Sequence, residues 1–213
     1  CHDEVRRFRR YARHGDVRVQ RRFAIIGHRA QSNGKLNLND LAGASGRMDV
    51  LVRAVSSALF ISHGMREDCH ITLHLMGGPG VPRRIWFDSR NLIGLHVDDR
   101  AIAGRISKIL LEPSPARGQL VEFSPGLWHS GGDIETTLEE WGGENVQLLV
   151  LDADAPPLSK IEAEKVGFIL SDDLPFSTEE SDLLAKLEKK SIGQTWLQGH
   201  SAISVVHHIL DQS

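Results

Sequence analysis

The sequence predicts an α/β fold, a mostly parallel sheet with helices on both faces. Three observations carry that expectation. Apolar runs of strand length alternate with helical periodicities along the chain, most of those runs are short enough for central strands, and no repeat or low-complexity linker breaks the alternation.

The first run, "FAIIGH" at 23 to 28, reads as a buried strand. A helix is expected over 46 to 63, where Met48, Leu51, Val52, Val55, Leu59 and Ser62 trace one face. "CHITLHLM" (69 to 76) and "RRIWFD" (83 to 88) read as the next strands, and 98 to 111 as a helix. "EPSPARGQL" (112 to 120) has the composition of a loop, and a helix follows over 133 to 141. "VQLLVLD" (146 to 152) and "GFILS" (167 to 171) are further strands. The helix expected over 177 to 190 opens with "STEE", a capping box if Ser177 and Glu180 bond each other's backbone, and a last helix covers 201 to 211.

At 213 residues, with 40% hydrophobic and 25% charged, the chain fits one globular domain with its own core. No apolar run is long enough to cross a bilayer, and the basic opening "CHDEVRRFRRYARHGDVRVQ" lacks the apolar stretch of a secretory signal, so a cytoplasmic protein is expected. Cys1 and Cys69 are too few for a disulfide framework. The net charge of −3 conceals a division: 20 Lys and Arg stand against 11 Asp and Glu through residue 118, and 5 against 17 beyond it. All 18 arginines fall in the first 117 residues. Two readings of that division stand, a nucleic-acid partner met by guanidinium groups, or a solvated basic face opposite an acidic one.

Several catalytic signatures are missing. "MGGPGVP" is glycine-rich but lacks the G-x-G-x-x-G spacing of a dinucleotide site, and neither a P-loop nor a G-x-S-x-G elbow occurs. Metal is not expected: His207 and His208 are adjacent on a helix and point apart, while His70 and His74 share a strand face without a third ligand nearby. What remains are "LVLDADAPPL", "FILSDDLPFSTEE" and "SIGQTWLQGHSAISVVHHILD", where apolar runs break into small, polar or proline residues before the next helix. Ligands of parallel sheets collect at the carboxyl ends of strands, so these loops are the natural pocket wall.

One further stretch asks for an explanation. In "GASGRMDVL" a helix starts with Arg47 and Asp49 behind two glycines and a serine. Asp49 suits the positive end of a helix dipole and stands four residues before Arg53, which makes an ordinary ion pair. Arg47 is at the wrong end for its charge, and an arginine beside a helix N-terminus strengthens an anion site.

"FAIIGH", "LNDLAGASGRMDVLVRAVSSALFISHGMRED", "DDRAIAGRISKIL", "SPGLW", "FILSDD" and "HSAISVVHHILD" resemble the archaeal tRNA (pseudouridine-54-N1)-methyltransferases, the TrmY family of the SPOUT superfamily. The resemblance covers about nine tenths of the chain, from about Arg21 to Asp211, leaving residues 1 to 20 as an N-terminal extension and 21 to 213 as a single domain. It implies a C-terminal trefoil knot, S-adenosylmethionine as cofactor, tRNA as partner, a homodimer and no metal. It implies methylation at N1 of pseudouridine 54, with a pseudouridine in another RNA such as rRNA, or a catalytically idle RNA- or cofactor-binding module, as the alternatives.

Carried over residue by residue, the resemblance places Leu151, Ser171 and Ala202 on three cofactor loops. Ser171 stands where many members have Gly, and Ala202 where many have Cys. Arg47 and Asp49 become the catalytic candidates: N1 must lose a proton as the methyl group arrives, and charge developing on the ring oxygens calls for cationic donors. Arg53, Arg66, Arg83, Arg84 and Arg90 become candidates for RNA contacts.

Overall fold

The computed structural model describes residues 19–212. All but the last two residues of the expected N-terminal extension, Cys1 among them, therefore lie outside the described residues. The elements run β1 (Gln20–Gly27), α1 (Met48–Leu59), β2 (Phe60–Ile61), β3 (Gly64–Met65), β4 (Cys69–Leu75), β5 (Arg83–Asp88), α2 (Asp99–Leu111), β6 (Val121–Ser124), β7 (Leu127–Gly131), α3 (Ile134–Gly143), β8 (Gln147–Leu151), β9 (Lys165–Ser171), α4 (Thr178–Leu184), β10 (Glu188–Lys190) and α5 (Gly199–Asp211). No described helix is long and apolar enough to cross a membrane.

Eight strands form one sheet in the order β10, β8, β9, β1, β4, β5, β7, β6. The first five pair in parallel, and β5, β7 and β6 extend the sheet as an antiparallel flank. β1 lies inside the parallel block, and its alternating side chains feed two cores. Phe23 and Ile25 join the side chains of α1, α2 and α5, including Met48, Leu51, Ile106, Ile203 and Val206. Ala24 and Ile26 face the other way, toward Ile134 and Trp141 of α3 and Leu184 of α4. Helices thus cover both faces, as the alternation predicts.

Two local expectations are corrected, and one hairpin is added. The helix expected to reach residue 63 stops at Leu59, because Phe60 turns extended (φ −96, ψ 144) and starts the small β2–β3 hairpin, so Ser62 lies outside the helix and is exposed. The helix expected over 177 to 190 ends at Leu184; its capping box forms with both bonds, but Glu188–Lys190 instead pairs in parallel with β8. The hairpin of β6 and β7, which no apolar run announces, adds two strands to the flank.

Candidate active site

The parallel strands direct their carboxyl ends to one end of the sheet, and the segments leaving β1, β4 and β9 meet there around the start of α1. The packing is closest at Arg29. Its backbone carbonyl lies between Gly46 and Gly77, where a Cβ would stand 1.7 Å and 2.1 Å from the oxygen respectively. No side chain fits at either position, and Gly46 also has φ +65. The root of Arg29 is fixed by backbone on both sides.

Arg47 follows directly, and it is left-handed (φ 63, ψ 32). An L-residue adopts this conformation at a cost of about 1–2 kcal/mol, and a residue held there without glycine's freedom marks a place where position outweighs strain. As N-cap of α1, Arg47 makes no side-chain capping bond. Its guanidinium instead runs alongside Asp49, with Nε donating to Oδ1 at 3.0 Å and Nη2 to Oδ2 at 3.3 Å, while Nη1 donates to Oδ2 of Asp173 at 2.8 Å. The bond to Asp49 is the main reason the Arg47 pKa lies above its ordinary value. Arg53 approaches Asp49 at 3.5 Å, the pair its spacing predicts. Both oxygens of Asp49 are therefore engaged by guanidinium groups.

Asp173 belongs to the segment after β9, so the start of α1 and the end of β9 are joined by Arg47. Asp173 also accepts from Nη2 of Arg29, the chief cause of its pKa falling below the usual carboxylate value. Next to it, Asp172 accepts from the His28 backbone N–H at 2.8 Å and from the Leu174 N–H at 2.9 Å. The His28 ring is clamped between two carboxylates, Nδ1 to Asp172 and Nε2 to Glu180, each at 2.9 Å. Burial opposes the charge on this ring, but Glu180 and Asp172 outweigh it and raise the pKa. With both carboxylates ionised, both contacts are hydrogen bonds only when the ring is protonated on each nitrogen. Glu180 also accepts from the Ser177 N–H at 2.8 Å, so one carboxylate serves the capping box and the clamp.

The cofactor-loop candidates occupy element ends. Leu151 ends β8, Ser171 ends β9, and Ala202 is buried in the first turn of α5. A Cβ on Gly199 would lie 3.6 Å from the Ser171 carbonyl, so the start of α5 abuts the end of β9. The segment before α5 is tied to the one after β8: the Ser191 N–H donates to the Pro156 carbonyl at 2.8 Å and the Leu158 N–H to the Ser191 carbonyl at 2.7 Å. Ser171 donates its hydroxyl to the Leu174 carbonyl, and its backbone lies outside the left-handed region. The three loops are contiguous and present backbone, including the start of α5, whose N-cap Gln198 makes no side-chain capping bond. Such a wall fits the polar groups of a nucleoside and an amino acid.

The arginine candidates divide. Arg53 is exposed beside Asp49. Arg90 is half exposed with Asp88, and Arg66 forms a two-pronged pair with Asp211. Arg83 and Arg84 are a correction: both are buried. Arg83 donates to the Ile109 and Glu112 carbonyls at the end of α2, and Arg84 donates to Glu140, Thr137 and Ser130. With their Nη donors satisfied inside the protein, neither reaches an external phosphate. The sequence assigned no site role to His28, Arg29, Asp172 and Asp173, and gave Glu180 only its place in the capping box. The available signal was charge clustered directly after two apolar strands, in "GHR" and "SDD". Among the described residues no group of three or more His, Cys, Asp or Glu could hold a metal ion.

Residues 20–213 match the family described as SAM-dependent RNA methyltransferase. The tRNA (pseudouridine(54)-N(1))-methyltransferase of Methanosarcina mazei is 38% identical over 197 residues, 91% of this chain and 92% of that protein. Its Haloferax volcanii counterpart is 37% identical over 195 residues, 90% of this chain and 96% of that protein. Among solved structures, Archaeoglobus fulgidus Nep1 bound to S-adenosylhomocysteine superposes with a TM-score of 0.60 at 11% identity, covering 91% of this chain and 98% of that one, which shows a shared fold.

Proposed function

The chain belongs to the SAM-dependent RNA methyltransferase family, and on that premise we propose that it methylates N1 of pseudouridine 54 in tRNA, with S-adenosylmethionine as methyl donor. The observation that carries this reading is the junction at Arg47. One guanidinium joins the helix start expected to meet the substrate to the β9 loop expected to meet the cofactor.

The bound cofactor supplies an electrophilic methyl group, so positioning accounts for much of the rate. Within this reading the loops at Leu151, Ser171 and Ala202 bind it, largely through backbone groups. Arg47 lies beside the nucleotide, where its positive charge acts through space on the electron density that collects on the ring as N1 loses its proton. Asp49 is a positioning residue that holds Arg47 in plane. Held at the loops of Leu151, Ser171 and Ala202, the cofactor would supply the methyl group that takes the place of the N1 proton, which would pass to solvent. Arg53 and Arg90 remain candidates for backbone phosphates, with Arg66 less free because of Asp211.

Two features of assembly complete the reading. The contiguity of the segments after β8 and β9 with the start of α5 supports the C-terminal knot. Trp196, 90% exposed, with Leu197 and Leu174, supports a homodimer formed beside these loops. Light scattering is expected to report a dimer at micromolar concentration, and a stable monomer would count against it. The activity itself is tested by incubating the protein with S-adenosylmethionine and pseudouridine-containing tRNA, then mapping the modification by nucleoside mass spectrometry. One methyl group on pseudouridine 54 is expected. Methylation only of a ribosomal RNA fragment carrying pseudouridine, or of neither RNA, would overturn the assignment.

A further inference from the structure

We infer that Arg29 and Arg47 form a two-arginine seat for a backbone phosphate of the substrate RNA, and that Asp173 occupies this seat in the free protein. The inference rests on the RNA-methylating function proposed above and adds Arg29 and Asp173 to the residues that govern substrate binding. Its basis is convergence. Nη2 of Arg29 and Nη1 of Arg47 both donate to the same oxygen of Asp173, Oδ2. Two guanidinium groups brought from different segments onto one anionic oxygen make the arrangement that binds phosphate.

The three carboxylates nearby are not equivalent. Asp172 is committed to the backbone and ring of His28. Asp49 is 12% exposed at its side chain and takes two bonds from Arg47. Asp173 is 30% exposed and meets each arginine through a single donor. It is the partner that an incoming anion can replace with least disturbance. When it leaves, Arg47 remains paired with Asp49, and the root of Arg29 stays fixed by its backbone between Gly46 and Gly77. Arg53 brings a third guanidinium to the group through Asp49. Displacing Asp173 frees the donors of Arg29 and Arg47 that it held, and a phosphate oxygen can accept from both.

An internal competitor lowers apparent affinity by the fraction of time it fills the seat. Asp173→Asn removes that competitor's charge while keeping its size. Binding of a tRNA carrying pseudouridine 54 is measured by fluorescence anisotropy at several salt concentrations, with calorimetry of S-adenosylhomocysteine reporting on the cofactor loops. Asp173→Asn is expected to bind the RNA about threefold tighter or more. Arg29→Ala is expected to bind it several-fold weaker and to lower the salt slope of log K by about one. Cofactor affinity is expected to stay within twofold in both. Equal or weaker RNA binding by Asp173→Asn, with cofactor affinity intact, overturns the displacement. If that variant fails to fold, unchanged RNA affinity and salt slope in Arg29→Ala overturn the seat by themselves. A wild-type protein that methylates tRNA while these variants behave like it sinks only the seat. One that neither binds nor methylates tRNA sinks the proposed function and the seat together.

Discussion

Replacing Arg47 by glycine and by alanine separates the cost of its backbone from the use of its side chain. Both variants lose the guanidinium, and with it the bonds to Asp49 and Asp173. That loss leaves Asp49, 12% exposed, with Arg53 at 3.5 Å as its remaining cationic partner. Losing charge-assisted bonds of this kind costs about 1–2 kcal/mol of stability. The variants differ in how they meet φ 63. Alanine retains the left-handed strain of about 1–2 kcal/mol. Glycine relieves it, while its looser unfolded chain costs about 0.4–1 kcal/mol. The difference leaves the glycine variant about 1 kcal/mol more stable than the alanine variant and within about 1 kcal/mol of the wild type.

If Arg47 acts on the substrate, methyl transfer falls in both variants by at least about tenfold, roughly 1.4 kcal/mol of transition-state stabilisation. Urea unfolding at constant m, alongside single-turnover methylation of pseudouridine-containing tRNA, measures the two quantities independently. Equal stability of the two variants would refute the strain argument. Wild-type turnover in either would refute the role given to the side chain, and turnover that recovers in step with stability from alanine to glycine would make Arg47 a brace.

Other outcomes follow from the same structure. His74 and His207 are buried and neutral, each with its pKa lowered by burial to about 3, so the unfolded chain binds their protons first. Stability is complete above an unfolded value of about 6.5 and falls by about 1.4 kcal/mol per pH unit for each as the pH drops toward 3. Urea titrations between pH 7.5 and 5 check this, and a flat profile would mean that the rings are charged in the fold. His28 has the opposite sign: its raised pKa gives a contribution present below about 6.5 and lost as the pH climbs through the folded value. The stability gap between wild type and His28→Gln should therefore narrow with rising pH, and a constant gap would remove the imidazolium from the clamp. Gly46→Ala places a methyl carbon 1.7 Å from the Arg29 carbonyl and should cost about 3 kcal/mol or more. A wild-type unfolding midpoint there would show that the segment after β1 yields freely.

Much of the fold was legible because burial and periodicity coincide. "FAIIGH" is apolar on both sides because β1 sits between two cores, and the Ser177–Glu180 box announced the start of α4. The end of that helix was not legible. Glu188–Lys190 is three charged residues, equally suited to a solvated helix tail, and only pairing with β8 makes it a strand. "VEFSPGLWHSGG" carries no apolar run, so its hairpin depends on β5 as a neighbour. At the site, the Arg47–Asp49 pair could be read from its misplaced charge, but Asp173 lies 126 residues away in the chain and meets it only through the β1–β9 pairing. Arg83 and Arg84 looked like surface groups because arginine usually is one. Their places opposite Leu75 and His74, inside the sheet, turn them inward to a helix end and to Glu140.

The division of charge along the chain takes on a different meaning from either reading the sequence offered. Among the described residues, Arg21, Arg22, Arg29, Arg47, Arg66, Arg84 and Arg117 each pair with a carboxylate beyond residue 118. The basic and acidic parts of the chain thus neutralise one another within the fold, across contacts distant in sequence. Clustered arginine is therefore weak evidence for RNA by itself. What distinguishes a binding arginine is how its partner is held. Arg21, Arg22 and Arg84 are buried, so removing their partners would leave a charge without solvent. Arg29 and Arg47 are 50% and 34% exposed and converge on a carboxylate that is itself 30% exposed, where a phosphate can take over the contact without stranding a charge. Arg117 is as exposed as Arg29 and its carboxylates are exposed too. What sets Arg29 and Arg47 apart is that two exposed guanidinium groups share one carboxylate oxygen, where the expected substrate and cofactor segments meet.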